Sequence, residues 1–126
     1  MKLTDTFAVL TPRMDVATVP VTPTVYQELD SRFDGFRGHA LVAVYTFDRD
    51  WGNWERHPHG DEIVVLLSGT AEMILRRDTG DEVVALSEPE SCVVIPRNTW
   101  HTARVREPTR MLFVTPGEGT EHADAP

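Results

Sequence analysis

Glu55 and His57 stand two residues apart, and four residues separate His57 from Glu62. On a β-strand, residues two apart point to one face with Cα atoms roughly 6–7 Å apart, so Glu55 and His57 can aim at a common point. Pro58-His59-Gly60-Asp61 between them and Glu62 reads as a tight turn, because proline fixes φ and glycine permits φ > 0. Glu62 then re-enters on a following strand, Ile63 to Leu67, and can reach the same point. Further along, Ile95-Pro96-Arg97-Asn98-Thr99-Trp100-His101 offers one more imidazole just past a turn. Two carboxylates and two imidazoles on one side of a sheet make a candidate divalent-metal site.

These residues need strands to aim them. His39 to Phe47 is apolar on both faces through Val44 and is expected to be a central strand. Asp48 to Asn53 reads as a loop, and Trp54 to His57 as the next strand. Ala71 to Leu75 and Glu82 to Leu86 are expected to form a hairpin through Asp78-Thr79-Gly80-Asp81. Ser91 to Ile95, Thr102 to Val105 and Arg110 to Val114 complete the set. Val64 and Leu66 share the parity of Glu62 and look like core, so Glu62 is expected to face inward. Asp61 then points the other way and supports the turn. Near the N-terminus, Thr24 to Phe33 reads as a short helical turn, with Thr24 as its cap and Tyr26, Leu29 and Phe33 on one face. Many short strands separated by Gly, Pro and Asp turns mean an all-β sandwich or barrel.

The 126 residues make one domain, divided as an extended arm and short helix (1–37), a barrel (38–115) and a flexible acidic tail (116–126). A net charge of −8 argues against nucleic-acid phosphates and anionic membranes as partners. Cys92 is the only cysteine, which leaves no intramolecular disulfide and makes a reducing cytoplasm the expected compartment. It lies in the apolar run Cys92-Val93-Val94-Ile95 and reads as a small core residue. Lys2 is the only lysine, so Schiff-base chemistry has no foothold. No Ser-His-Asp order, phosphate loop or CxxC is present. The extended Val16 to Val21 pieces are expected to pair with an edge of a second subunit, giving a homodimer.

The site resembles the cupin superfamily. Its first motif runs Gly, five residues, His-x-His, three or four residues, Glu, six residues, Gly, and its second includes Pro-x-Gly, two residues, His. Glu62 and Gly69 fit the first motif without a gap, His57 takes its second histidine position, and Glu55 replaces the first. Pro96 and His101 match the second motif, with Asn98 in place of its glycine; asparagine is the non-glycine residue that best tolerates left-handed geometry. The outer positions depart, at Arg49, Glu90 and Val105.

The resemblance, over about residues 40 to 115, implies a cupin-type jelly-roll β-barrel and a metal held by Glu55, His57, Glu62 and His101. A register shifted to His57 and His59 leaves only two residues before Glu62, so His59 stands as a reserve ligand. A carboxylate at position 55 favours Mn²⁺, Fe²⁺ or Mg²⁺, and Zn²⁺ accepts the same mixed donors. Glu55, if not a ligand, is placed to act as a catalytic base. Tyr45, Phe47, Trp54 and Trp100 are the aromatics expected to line a mouth for a small apolar or carbohydrate-like ligand. The implied activities are an oxygenase, isomerase or cyclase reaction on a small organic molecule. Two other classes compete: a non-catalytic small-molecule-binding or regulatory cupin, and an interaction module that pairs by its edge strands.

Overall fold

The computed structural model describes residues 1–124. Eleven antiparallel strands form two sheets. In chain order they are β1 (Thr6–Leu10), β2 (Val16–Pro20), β3 (Ala40–Phe47), β4 (Asn53–Arg56), β5 (Glu62–Ser68), β6 (Ala71–Arg77), β7 (Gly80–Leu86), β8 (Cys92–Ile95), β9 (His101–Val105), β10 (Thr109–Thr115) and β11 (Glu121–Asp124). One sheet runs β2-β1-β3-β10-β5-β8 and the other β11-β4-β9-β6-β7. A helix α1 (Val25–Arg32) and a 3₁₀ turn at Asp34–Phe36 precede β3. Thr24 sits at the N-cap of α1 but makes no side-chain capping bond; the helix buries Val25 and Leu29, with Phe33 packed beside them, while Tyr26 of the expected face stays exposed. Among the described residues, no helix is long and apolar enough to cross a membrane.

Burial follows the period of two. In β5 the residues Glu62, Val64 and Leu66 are buried while Ile63 is exposed. Val64, Leu66, Met73, Leu75, Ile95 and Met111 meet between the sheets in the main core. Each such side chain contributes about 1.5–3 kcal/mol on leaving water, which is what holds the sheets face to face. A second cluster, with Phe7, Val9, Val19 and Leu29, seats the N-terminal hairpin and α1 on β3. Cys92 departs from the expected core position: Val93 and Ile95 take the inner face of β8 and leave Cys92 and Val94 outside.

The ends of the chain are tied into the sheets. The extended N-terminal pieces pair with each other and, through β1, with β3 of the same chain, which leaves β2 as the edge strand of its sheet. The segment after Pro116 is not a loose tail through residue 124, because Glu121–Asp124 pairs antiparallel with β4. Its acidic, Gly-containing composition reads as disorder, but backbone pairing needs little from side chains, and Arg56 adds an ion pair to Glu121 at 2.5 Å. Residues 125–126 of the expected tail lie outside the described residues.

The turns that aim the site need left-handed backbone. Gly69 has φ +83°, and the non-glycines Glu90 and Asn98 hold φ +77° and +63°. Gly69 is also cramped. A Cβ there would lie 2.5 Å from Thr109 Oγ1 and 2.6 Å from the Pro108 carbonyl, whereas a Cβ at Gly80 (φ +119°) would meet nothing within 4 Å. Gly69→Ala should therefore cost strain plus collision, about 2 kcal/mol or more, and Gly80→Ala strain alone, about 1–3 kcal/mol. Chemical denaturation of both variants checks the order. A Gly69→Ala loss no larger than that of Gly80→Ala would contradict the close approach.

Candidate metal centre

The site lies between the sheets. β4 ends one residue before His57, Glu62 opens β5 in the opposite sheet, and His101 opens β9 directly across from Glu55. Asp61, pointing away as expected, accepts the Arg97 backbone N–H at 2.7 Å, and the Asn98 N–H donates to the His57 carbonyl at 2.9 Å. These two bonds tie the turn before β5 to the turn before β9. That stitching brings the imidazoles together, with ring centroids 5.4 Å apart.

Glu55, His57 and His101 each offer one donor atom, all mutually within 4.8 Å. Glu62 adjoins both imidazoles: Oε2 is 3.4 Å from His57 Nε2, and Oε1 is 3.1 Å from His101 Nε2. Glu55 Oε2 lies 3.8 Å from His57 Nε2. Two donors each about 2.1 Å from one ion sit about 3.0 Å apart at right angles and about 3.4 Å apart in a tetrahedron, so the two Glu62 separations suit a shared ion, with Glu55 slightly farther out.

The direction of the donor atoms decides more than the distances. His101 Nε2, His57 Nε2 and Glu62 Oε1 are all buried, and none has a hydrogen-bond partner. At 3.1 Å the His101–Glu62 contact is within hydrogen-bond distance, yet neither atom makes a hydrogen bond. The outer nitrogens, in contrast, are engaged. His101 Nδ1 lies 3.0 Å from the Thr99 carbonyl, an acceptor, so this nitrogen carries the proton. His57 Nδ1 lies 2.9 Å from Thr120 Oγ1. Imidazoles anchored through Nδ1, with a bare Nε2 in a shared space, have the arrangement of metal-ligating histidines.

In the ion-free cluster, burial and the carboxylate–imidazole contacts set the electrostatics. Burial alone would push the Glu62 carboxyl up, but the two imidazoles, His101 ahead of His57, outweigh it and hold the group at about 2. Burial pulls the His101 imidazole down, and the Glu62 carboxylate overcomes that and raises it. Thr115 donates its hydroxyl to Glu62 Oε2 at 2.6 Å, leaving Oε1 for the centre.

The centre opens into a cavity of about 880 Å³ that Glu55, His57 and Glu62 help to line. Tyr45 and Phe47 line it as expected, and Trp51 and Phe113 join them. Trp54 and Trp100 do not. Each precedes an inward residue, Glu55 or His101, so the alternation of the strand turns it to the outer face. There Trp54 lies under the Arg76 guanidinium and Trp100 under that of Arg56. His59 is turned out as well, its Nε2 lying 3.8 Å from Glu118. Sequence reasoning missed Thr120 and His122, both on the C-terminal segment. His122 pairs in register with Glu55, and its Nε2 is 3.3 Å from Glu55 Oε1. No local motif marks either residue; only the β4–β11 pairing brings them in.

With His59 outside the centre, Glu55→Gln should weaken divalent-metal binding while His59→Ala leaves it unchanged. Calorimetric titration of both variants checks this. Loss of the ion in His59→Ala, with Glu55→Gln silent, would restore the shifted register.

Residues 48–115 match the family model described as Cupin domain. No curated protein matches the sequence. Among solved structures the chain is similar to a cupin-2 domain containing protein from Shewanella frigidimarina, at 19% identity and TM-score 0.52, over 61% of this chain and 70% of that one. It is also similar to hydroquinone 1,2-dioxygenase from Sphingomonas sp., solved with 4-hydroxybenzoate bound, at 15% identity and TM-score 0.52, over 68% and 60%. A variant of oxalate decarboxylase from Bacillus subtilis gives 18% identity and TM-score 0.54, over 68% of this chain but only 23% of that longer one. At such identities the structural likeness is one of fold. The family match spans more than half of the chain, and this protein belongs to the cupin family.

Proposed function

We propose that this cupin is a metal-dependent enzyme for a small, flat, uncharged organic molecule, with one divalent ion held by His57, His101, Glu62 and Glu55. The observation that carries the reading is the convergence of three buried, unpartnered donor atoms, His57 Nε2, His101 Nε2 and Glu62 Oε1. Leaving polar groups buried and unpaired is costly, and a shared cation removes that cost. Two nitrogens and two carboxylates suit Fe²⁺ or Mn²⁺, with Zn²⁺ accepted by the same donors. Such an ion supplies Lewis acidity or redox chemistry beside the cavity.

The other residues act on the substrate. Phe47, Trp51 and Phe113, packed with ring centroids 5.5–6.0 Å apart, form an apolar wall that fits a flat ring and keeps water out. Tyr45 and Tyr26 bond through their hydroxyls at 2.5 Å, and burial with that bond pushes the Tyr45 phenol well above its ordinary value, so it stays neutral. Glu55 lines the cavity, with Oε1 3.3 Å from His122 Nε2, and its carboxylate can take a proton from a bound hydroxyl.

Charge bears on the substrate class. Among the described residues, Arg49 is the one arginine lining the cavity and is paired with Asp48, while Asp30, Asp50, Glu55 and Glu62 also line it. A small dianion such as oxalate would find no free fixed cation for its second carboxylate. A hydroxy-aromatic molecule of the hydroquinone type meets the aromatic wall without that penalty.

A non-catalytic binding role is favoured by one observation: Glu62 already compensates the two imidazoles, so the fold can hold without an ion. Elemental analysis of protein purified without a chelating tag separates the readings. About one Fe or Mn per chain is expected, lost in the His57→Ala, His101→Ala double variant. The loaded protein should bind or turn over hydroquinone in preference to oxalate. No bound ion, with ligand binding retained, would give the binding role instead.

A further inference from the structure

The His57 imidazole is held from a segment 63 residues away. Its Nδ1 lies 2.9 Å from Thr120 Oγ1, and the same hydroxyl lies 2.9 Å from the Gly117 carbonyl. A carbonyl only accepts, so the single hydroxyl hydrogen goes to Gly117. Thr120 Oγ1 then presents only lone pairs to the ring, and His57 Nδ1 must be the donor. The ring proton is thereby kept on Nδ1 and Nε2 is left bare. Without Thr120 the opposite tautomer has an attraction of its own, because the Glu62 carboxylate is 3.4 Å from Nε2 and would draw the proton there. A proton on Nε2 blocks that nitrogen as a ligand.

Thr120 is itself held in place. β11 begins at the next residue and pairs along β4, with Arg56 bonded to Glu121. The chain reaches Thr120 by crossing the turn before β5, where Pro116 packs so closely on Gly60 that a Cβ on Gly60 would lie 2.7 Å from the proline. Gly60 is therefore small for a reason that bears on the site: it lets the C-terminal segment come down over His57.

We infer that Thr120 is a positioning residue for the metal centre, selecting the His57 tautomer that can take an ion, with the C-terminal segment serving to deliver it. This rests on the reading of His57 as a ligand. The test compares Thr120→Val, which keeps the shape and removes the acceptor, with Thr120→Ser, which keeps the acceptor.

Two readouts are needed. Nitrogen-15 NMR of the metal-free protein, above the histidine titration range, should report His57 protonated on Nδ1 in wild type and Thr120→Ser. In Thr120→Val the proton should move toward Nε2. Titration with Mn²⁺ or Zn²⁺ should show affinity weakened about 10- to 100-fold in Thr120→Val and restored in Thr120→Ser. An unchanged thermal midpoint in Thr120→Val separates this effect from loss of fold. An unchanged tautomer, or an unchanged affinity, in Thr120→Val would overturn the inference. If wild type takes up neither ion, the metal reading fails by itself, and the tautomer comparison still decides whether Thr120 sets the ring.

Discussion

A carboxylate at the mouth of the core, wedged between two imidazoles, is the constraint around which this cupin is arranged. Glu62 is 2% exposed, on a strand whose inner face is otherwise Val64 and Leu66. An ionised group there is tolerable only if opposite charge meets it. His57 Nε2 and His101 Nε2 lie 3.4 and 3.1 Å from it, so the positive charge comes either from a protonated imidazole or from a cation shared among the three groups. Removing one partner of a buried pair typically costs about 3–5 kcal/mol, because the other is left uncompensated. Much of the surrounding structure follows from keeping these groups together: the stitching of two turns through Asp61 and Asn98, the Thr115 hydroxyl on Glu62, and β4 placed opposite β9.

The same cluster has a second property that ion pairing alone would not require. A structural ion pair points its N–H groups at the carboxylate, whereas here the Nε2 atoms and Glu62 Oε1 remain without hydrogen-bond partners and the outer nitrogens are engaged. Lone-pair atoms brought face to face with no hydrogen between them suit a shared cation. The cavity begins beside these atoms, and its wall of Tyr45, Phe47, Trp51 and Phe113 is part of the main core. Core packing and cavity wall are thus one set of side chains, which lets a chain of this size carry a cavity of about 880 Å³.

The spacing of Glu55, His57, Glu62 and His101 made the centre legible in the sequence, because strand alternation converts spacing into facing. The inward position of Glu62 followed from the parity of Val64 and Leu66. The left-handed turn at Asn98 followed from the tolerance of asparagine for that geometry. Where the reading failed, either strand alternation along the local run or a long-range strand pairing was responsible. Trp54 and Trp100 were grouped with the site by proximity along the chain, although alternation sets them on the outer face. Cys92 was placed inside by the apolarity of its run, although half of such a run faces out on an edge strand. Thr120 and His122 were hidden in a segment whose composition reads as disorder, and only its pairing with β4 brings them to His57 and Glu55.

The central claim is that the bare imidazole nitrogens and the Glu62 carboxylate define one metal position. Anomalous diffraction from crystals grown with Zn²⁺ or Mn²⁺ tests it most directly. The account predicts a single strong peak between the sheets, about 2.0–2.2 Å from His57 Nε2, His101 Nε2 and a Glu62 oxygen. A peak seated instead on His59 and Glu118, or no peak and His101 Nε2 hydrogen-bonded directly to Glu62, would contradict it.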